Sequence, residues 1–390
     1  MNYEITIFGS GISAKIISNL LARNGFKVCL ISDKYNKKDS PDTNLVTFLS
    51  SGSLNYLSSM IPITQLTHEY PEILKIKCNL NSISKKKPQP IEFKSEAKEF
   101  LGKIIQNSIL ENFLDKEINK SKNIKIINTN WPISANNTST GVKLKMHNGD
   151  EIDSDLFILS SSKTNIVEQM KFNFIKKDLE QVALSISVKG KIKDKNCAFQ
   201  KFTSDGPIAL LPYSNTQASV VWSLKNDSKI LMKDKKELKQ IIFKYLGEYM
   251  DLEKIENIDK HKLQFVYAKN LLYKNTVLMG NSAHNIHPIA GQGLNLTIKD
   301  IALFVKQTIK CKSLGCRLND QIALETFDMD RKIDNAAYAF GTFSLDSILS
   351  SNNRFLNNTI RMGLGFIEKR IYLKRLIIKS ATGSDFFESF

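Results

Sequence analysis

The sequence has 390 residues, of which 42% are hydrophobic and 24% are charged, so a wholly disordered chain is excluded and a large buried core is expected. The formal net charge is +16 and most basic residues are lysines. The arginine forks and interleaved aromatic residues of a nucleic-acid surface are missing, so no nucleic acid is expected as a partner. The five cysteines are scattered without a CxxC pair, which predicts neither a disulfide framework nor a zinc site.

The predicted elements begin with a strand, a helix and a second strand, an order that is typical of α/β proteins. Residues 3–8 are rich in β-forming side chains, apolar residues recur at helical spacing over residues 12–21, and residues 26–31 form an apolar run that suits a parallel strand. Downstream, the pattern predicts helices over residues 53–60, 97–119, 235–250 and from residue 298 onward, and strands over residues 123–129, 142–146, 156–159, 183–188, 218–224 and 277–279.

The pattern also predicts a first domain built from separate segments, into which a second domain is inserted. Alternating β-type segments between residues 180 and 225 indicate an antiparallel sheet that differs from the sequence on either side. The predicted boundaries are residues 1–65, 98–175 and 265–320 for the first domain, 66–97 and 176–264 for the second domain, and 321–390 for a C-terminal helical region.

A glycine motif joins the first strand to the first helix. Gly9, Gly11 and Ala14 form the pattern G-x-G-x-x-A, in the strand–turn–helix context that dinucleotide binding requires. Gly9 would form the tight turn, Gly11 would let a pyrophosphate approach the positive end of the helix, and Ala14 would allow close packing. The alternative is a tight turn that binds nothing.

A second glycine-rich segment follows the last predicted strand. It begins with Gly280 and Asn281 and ends with residues 288–295, which open a helix. Backbone N–H groups at such a turn can face an anion or an electron-rich ring. His284 and His287 lie in the same loop, but no Cys, Asp or Glu beside them completes a ligand set. No metal is therefore predicted, and hydrogen bonding within the loop is the expected role of these histidines.

Several separated segments resemble one protein family. Residues 280–295 are similar to the flavin-ribityl motif G-D-A-A-H-x-x-x-P-x-x-G-Q-G-x-N of the FAD-dependent aromatic hydroxylases. Residues 100–110, 206–223 and 331–335 are similar to motifs of the ubiquinone-biosynthesis hydroxylases within that group, in the same order. The resemblance implies a p-hydroxybenzoate hydroxylase-like α/β fold. In this fold a Rossmann-like FAD-binding domain carries an inserted antiparallel-sheet substrate domain and C-terminal helices.

The resemblance also implies cofactors and contacts. FAD would be the bound cofactor, NAD(P)H its transient reductant and O₂ a co-substrate, for hydroxylation of the aromatic ring of a polyprenylated phenol or quinone precursor. The residues expected to contact FAD are Gly9, Gly11, Ala14, Ser32, Asp33, Asn44, Gln106, Gly280, Asn281, Pro288, Gly291, Gln292, Gly293, Leu294 and Asn295. The residues expected to wall the substrate pocket are Leu210, Pro212, Tyr213, Val220 and Trp222. No acid–base residue is assigned.

Several positions of the family pattern carry a different residue in this chain. Asn281 replaces the aspartate of the ribityl contact, Asn44 replaces the arginine that approaches the phosphates, and Ser32 replaces the acidic residue at the ribose. Residues 160–165 also lack the aspartate and glycine of the family's G-A-D-G segment. Two hypotheses follow: an FAD-dependent monooxygenase, or a flavin-poor, non-catalytic homologue that binds lipid or partner proteins in a quinone-synthesis assembly.

The C-terminal residues raise the question of a membrane surface. Residues 354–379 mix apolar and basic side chains in the way expected of a helix at an anionic membrane surface, and a helix packed on the domain is the alternative. The first residues leave no room for a signal peptide, and no apolar run approaches the roughly 20 residues of a membrane span. We therefore expect a cytoplasmic protein, free or peripheral on the inner face of the membrane.

Overall fold

The computed structural model of the chain describes residues 2–32, 45–79, 90–94, 99–128, 130–161, 165–285, 293–349 and 370–388. The strands are β1 (Asn2–Phe8), β2 (Val28–Ile31), β3 (Val46–Ser50), β4 (Glu72–Ile73), β5 (Lys75–Asn79), β6 (Ile91–Lys94), β7 (Gly102–Gln106), β8 (Ile124–Ile127), β9 (Pro132–Asn137), β10 (Val142–Met146), β11 (Glu151–Leu159), β12 (Phe174–Ile192), β13 (Cys197–Thr203), β14 (Gly206–Pro212), β15 (Gln217–Lys225), β16 (Met250–Ala268), β17 (Leu272–Tyr273), β18 (Thr276–Leu278) and β19 (His284–Asn285). The helices are α1 (Ile12–Arg23), α2 (Ser51–Met60), α3 (Thr64–Thr67), α4 (Asn107–Lys120), α5 (Ile166–Gln169), α6 (Lys235–Leu246), α7 (Gly293–Ser313) and α8 (Gln321–Leu349), followed by two C-terminal helices, Ile371–Thr382 and Ser384–Phe387.

A largely parallel sheet forms the centre of the first structural unit, with the strand order β17-β18-β11-β1-β2-β8. β1 pairs in parallel with β2 and with β11, and β11 pairs in parallel with β18. Ile5, Ile7 and Ile158 are fully buried, as expected for parallel strands that are covered on both faces. α1 packs against β1 and β2 and also contacts α4 and α7. The carboxyl ends of the parallel strands therefore lie along one edge of the sheet.

The second sheet has the strand order β19-β16-β12-β15-β14-β13-β5-β6 and is mainly antiparallel. β12 and β16 are each 19 residues long and pair with each other along nearly their whole length. Leu238, Ile242 and Leu246 of α6 pack on one face of this sheet and form a core of their own with it. The α/β fold with an inserted antiparallel sheet is therefore confirmed.

A small antiparallel sheet, β3-β7-β4, corrects one predicted element. Residues 97–119 do not form a single helix, because residues 102–106 form β7 and the helix begins only at Asn107. The adjacent apolar residues Ile104 and Ile105 fit a helix or a buried strand equally well, and pairing with β3 decides between them. Gly102 permits this pairing, since a Cβ atom there would lie 2.3 Å from the carbonyl oxygen of Leu49.

The two C-terminal helices pack on α2 and α7. A Cβ atom at Gly52 would lie 2.6 Å from the carbonyl oxygen of Thr382, so only glycine allows this approach. The rings of Tyr56 and Phe387 stack with centroids 5.2 Å apart. Of the segment predicted to lie at a membrane surface, residues 354–369 fall outside the described residues. Across the ranges that the structure describes, no helix combines the length and the apolar character needed to cross a bilayer.

Candidate active site

Three parallel strands end side by side and bring together segments that are distant in sequence. β1, β11 and β18 end at Phe8, Leu159 and Leu278. The backbone N–H groups of Ser160 and Ser161 donate hydrogen bonds to the carbonyl oxygen of Phe8, at 2.9 and 3.0 Å. Ligands of open α/β sheets bind beyond the carboxyl ends of the strands. A ligand site is therefore expected at this edge.

Two of the predicted glycines make this convergence possible. Gly9 has a φ of +150°, and a Cβ atom there would lie 3.2 Å from the carbonyl carbon of Ser160. Gly280 has a φ of +68°, in the left-handed region that favours glycine, and a Cβ atom there would lie 2.7 Å from Ser13 Oγ. The segments that follow β1, β11 and β18 are therefore in close contact: a side chain at Gly9 would crowd Ser160, and one at Gly280 would crowd Ser13.

The N-terminus of α1 opens onto this edge. Gly11 is its N-cap residue and offers no side chain as a cap. A Cβ atom at Gly11 would have no described atom within 4 Å, so no described residue packs against this position. The first N–H groups of a helix lack intrahelical partners and, together with the helix dipole, favour an anion. Asn281, next to Gly280, is exposed. These residues fit the pyrophosphate of a dinucleotide cofactor.

Ser32 is predicted to contact the ribose of FAD. Ser32 follows β2, and its backbone N–H donates a hydrogen bond to the carbonyl oxygen of Ile127 at 2.9 Å. A serine hydroxyl can donate to and accept from a ribose hydroxyl, but it lacks the charge that strengthens the bond made by a carboxylate. Asp33 and Asn44 lie outside the described residues.

Asn295 has a structural role that its place in the motif did not reveal. Its side chain is buried, its Nδ2 donates to the carbonyl oxygen of Phe48 at 2.8 Å, and its Oδ1 accepts from the backbone N–H of Ser50 at 2.9 Å. Asn295 therefore ties the first turn of α7 to the end of β3. Three further predicted contacts of the same motif lie outside the described residues: Pro288, Gly291 and Gln292.

Four predicted FAD contacts remain: Gln106, Gly293, Leu294 and Ala14. Gln106 ends β7 and pairs with Val46 of β3, so it belongs to the small sheet that Asn295 binds. A Cβ atom at Gly293 would have no described neighbour within 4 Å, and Leu294 is half-buried against the main core. Ala14 is fully buried in α1, as close packing of helix and sheet requires.

Three of the five residues expected to wall the substrate pocket are buried between the second sheet and α6. Leu210, Val220 and Trp222 belong to the core between the second sheet and α6, where Trp222 packs edge-on against Tyr245. Pro212 is buried at the end of β14. Side chains of a strand alternate between the two faces of a sheet. The alternation was visible in the sequence, but the sequence did not show which face meets α6.

The opposite face of the same strands points toward the first structural unit. Tyr213 belongs to the core of that unit, and Leu211 packs against it. Ser185 and Ser219 are buried on this face, and within the described structure neither hydroxyl oxygen has a hydrogen-bond partner. Burial raises the pKa of Tyr213, and a hydrogen bond from Ser187 opposes this shift. A buried hydroxyl without a partner costs about 1–3 kcal/mol, which makes Ser185 and Ser219 candidates for contact with a ligand.

The histidine loop shows no metal site in the part of the chain that is described. His284 is buried, and its Nε2 lies 2.7 Å from Asp300 Oδ2, so its hydrogen-bond partner is on α7 and not within the loop as expected. His287 lies outside the described residues. Among the residues that are described, no three His, Cys, Asp or Glu side chains cluster in a way that could hold a metal ion.

A cavity of about 840 Å³ lies away from this edge, between α2, α7 and the two C-terminal helices. Its described lining includes Tyr56, Val305 and Phe387, and it includes none of the predicted FAD contacts. Val305 is three turns along α7 from the start of that helix at Gly293, a distance of about 18 Å. The cavity is therefore separate from the glycine-lined site.

Comparison with known proteins agrees with this geometry. Residues 163–311 match the family described as FAD binding domain. The chain is 24% identical over 395 residues to 3-demethoxyubiquinol 3-hydroxylase of Escherichia coli, with 97% of this chain and 98% of that protein covered. It is 25% identical over 207 residues to the ubiquinone hydroxylase UbiL of Rhodospirillum rubrum, and this match spans 52% of the chain and 48% of that relative's length. The crystal structure of p-nitrophenol 4-monooxygenase PnpA from Pseudomonas putida DLL-E4 superimposes with a TM-score of 0.75 at 10% identity, over 98% of each chain, which shows a shared fold.

The domain match and the similarity of nearly the whole chain to a monooxygenase support a flavoprotein of the FAD-dependent monooxygenase class, and the fold agrees with this. The predicted p-hydroxybenzoate hydroxylase-like fold and the predicted FAD cofactor are thereby confirmed. Within this class, the chain is a relative of the ubiquinone-biosynthesis monooxygenases, so the resemblance drawn from its motifs is also confirmed.

Proposed function

We propose that the chain is an FAD-dependent monooxygenase of ubiquinone biosynthesis, which uses NAD(P)H and O₂ to hydroxylate the aromatic ring of a polyprenylated phenol or quinone precursor. The observation that carries the proposal is the close approach at Gly9 and Gly280, which brings separate segments together beside the uncapped N-terminus of α1 at Gly11, where a pyrophosphate fits. The alignment of nearly the whole chain with 3-demethoxyubiquinol 3-hydroxylase supports the substrate class.

In this proposal the residues of the chain bind and orient FAD, which supplies the redox chemistry and the activation of O₂ when bound. The N–H groups of the first turn of α1 bind the pyrophosphate, and the Ser32 hydroxyl binds a ribose hydroxyl. The Asn281 amide binds a ribityl hydroxyl. A neutral amide makes a weaker hydrogen bond than a carboxylate. We therefore expect the chain to hold FAD less tightly than a relative that carries aspartate at this position.

The substrate ring would lie between the FAD and the inner face of the second sheet. Leu211 and Tyr213 give this face an apolar wall that excludes water, and the buried hydroxyls of Ser185 and Ser219 can donate hydrogen bonds to ring oxygens. Hydroxyl groups without protein partners favour a ligand that brings its own acceptors, as a phenol or quinone does.

Replacing Ser219 with alanine tests this arrangement. We expect KM for the quinone precursor to rise roughly 3- to 10-fold, because one neutral hydrogen bond is lost. The free energy of unfolding should stay the same or rise by about 1 kcal/mol, because an unpaired buried hydroxyl is removed. Steady-state kinetics and urea denaturation measure the two quantities. Thr308→Val is the control, since its hydroxyl is bonded to Phe304 within α7 and its removal should leave KM unchanged. A lower stability with an unchanged KM for Ser219→Ala would contradict the assignment.

The visible absorption spectrum of the purified protein, before and after addition of excess FAD, tests the proposed function itself. Oxidised-flavin bands that co-elute with the protein are expected, followed by substrate-dependent oxidation of NAD(P)H and the appearance of a hydroxylated product. A colourless protein that does not respond to FAD would instead support the hypothesis of a non-catalytic homologue.

We also propose that the helix Ile371–Thr382 contacts an anionic membrane surface, where a polyprenylated substrate would be dissolved. The helix carries Tyr372, which is 71% exposed, and the exposed residues Arg375 and Ile377. Tyr372→Glu should weaken binding to vesicles of anionic phospholipid roughly tenfold in a sedimentation assay. Met329→Glu is the matched control, because Met329 is 69% exposed on α8. Equal binding by both variants would argue against a membrane role for this helix.

A further inference from the structure

Four buried side chains from three parts of the chain form one hydrogen-bonded network. His284 Nε2 lies 2.7 Å from Asp300 Oδ2. The other carboxylate oxygen, Oδ1, accepts hydrogen bonds from Arg331 Nε at 2.7 Å and from Asn335 Nδ2 at 3.0 Å. His284, Asp300, Arg331 and Asn335 are all at most 3% exposed. The network joins the segment after β18 to α7 and α8.

Arg331 is suited to its place because its guanidinium donates in three directions. Besides Asp300, it donates from Nη2 to Asn335 Oδ1 and from Nη1 to Asp334 Oδ2, both at 2.8 Å. The ring of Phe386, in the second C-terminal helix, lies 5.3 Å from the guanidinium carbon. A lysine could keep the charge, but it could not make the three fixed contacts of the planar guanidinium.

The network also determines which nitrogen of His284 carries a proton. Burial raises the pKa of the Asp300 carboxyl, but the Arg331 guanidinium and the hydrogen bond from His284 outweigh burial and hold that pKa below its usual range. Asp300 is therefore ionised and can only accept hydrogen bonds. His284 Nε2 must then carry a proton and act as the donor of this hydrogen bond.

His284 directly follows the turn that meets the glycine motif. The backbone N–H of Ala283 donates to the carbonyl oxygen of Gly280 at 2.9 Å, and the N–H of Ala268 donates to the carbonyl oxygen of Ala283 at 2.8 Å. His284 itself pairs with Tyr267 of β16. Because this short turn is held at both ends, an anchor on the His284 side chain also fixes the backbone at Gly280 and Asn281.

We propose that Asp300, Arg331 and Asn335 are positioning residues for FAD, which act by holding the His284 imidazole in its Nε2–H form and the preceding turn in place against the N-terminus of α1. The inference rests on the proposed function only for the identity of the bound group. The protonation of His284 can be measured without turnover.

Nitrogen-15 NMR of histidine-labelled protein measures the protonation of His284, and the chain has only five histidines to distinguish. A His284→Gln variant assigns the signal. We expect wild-type His284 to be protonated at Nε2, and Asp300→Asn to remove this requirement. The dissociation constant of FAD, from flavin fluorescence quenching, should rise about tenfold in Asp300→Asn, the effect of losing one charge-assisted hydrogen bond.

Glu117→Gln is the matched control, because Glu117 is also a buried carboxylate, 2.6 Å from both Arg23 and Lys120, but it lies on α4. It should lower the melting temperature and leave the His284 signal and the FAD affinity unchanged. If Asp300→Asn does not fold, Arg331→Lys takes its place, with a smaller loss of FAD affinity expected. Wild-type His284 without a proton at Nε2, or equal FAD affinity in Asp300→Asn and Glu117→Gln, would overturn the inference. Failure of the wild-type protein to bind FAD would instead contradict the proposed function.

Discussion

A protein carrying Gly11→Ala should fold like the wild type and bind FAD at least about tenfold more weakly. Gly11 has a φ of −76°, which alanine adopts freely, and its Cβ atom would meet no described atom within 4 Å. The fold therefore tolerates the methyl group. The proposed contact with the pyrophosphate does not tolerate the methyl group, because the pyrophosphate would approach the backbone at Gly11. Fluorescence titration with FAD and thermal unfolding of the FAD-free protein measure the two effects separately.

Gly341→Ala provides the comparison for this experiment. Gly341 lies in α8, its φ is not in the left-handed region, and a Cβ atom there would also have no described neighbour within 4 Å. Alanine should raise the stability of the helix by about 0.5–1 kcal/mol and leave FAD affinity unchanged. If Gly11→Ala bound FAD as tightly as Gly341→Ala, the pyrophosphate would have to lie elsewhere.

Trp222→Ala should lower the free energy of unfolding by about 3–5 kcal/mol, the usual cost of removing a large buried aromatic side chain. Trp222 is fully buried under α6, and within the described structure its indole N–H has no hydrogen-bond partner, so the loss comes from packing alone. Urea denaturation followed by circular dichroism measures the change. Because Trp222 faces α6, the KM of the folded variant for its substrate should remain near that of the wild type.

Phe243→Ala separates packing from the general effect of removing an aromatic ring from this region. Phe243 lies on α6 but is 56% exposed, so its truncation should cost less than about 1 kcal/mol. A Trp222→Ala protein with unchanged stability and a raised KM would show that Trp222 lines the substrate pocket after all.

Much of the fold could be predicted because its signals are local. The apolar run of β2 and the helical spacing of α1 each fix one element, and the G-x-G-x-x-A pattern between β1 and α1 fixes the turn that joins them. The antiparallel character of the second sheet was equally visible, since small or polar residues alternate with larger apolar ones along residues 183–188. These features depend on neighbouring residues and not on the rest of the chain.

The features that could not be predicted depend on partners far along the chain. Whether Trp222 or Val221 faces α6 depends on how two structural units pack, and a change of one residue exchanges the two faces. Residues 102–106 become a strand only because β3 is available to pair with them. Asn295 and Asp300 each bind groups supplied by distant segments, so their roles could not be inferred from the motif alone.

The place of β11 in the first sheet determines when that sheet can be completed during translation. β11 pairs with β1 and β10, which leave the ribosome before it, but its third neighbour, β18, comes more than a hundred residues after β11. Until β18 emerges, residues 157–159 of β11 lack the strand that pairs with them on one side, and unpaired edges promote association between nascent chains. The same late strand completes the edge at which we propose that FAD binds. Chaperone protection should therefore matter most during translation of the inserted domain, and FAD should join a chain that is nearly finished.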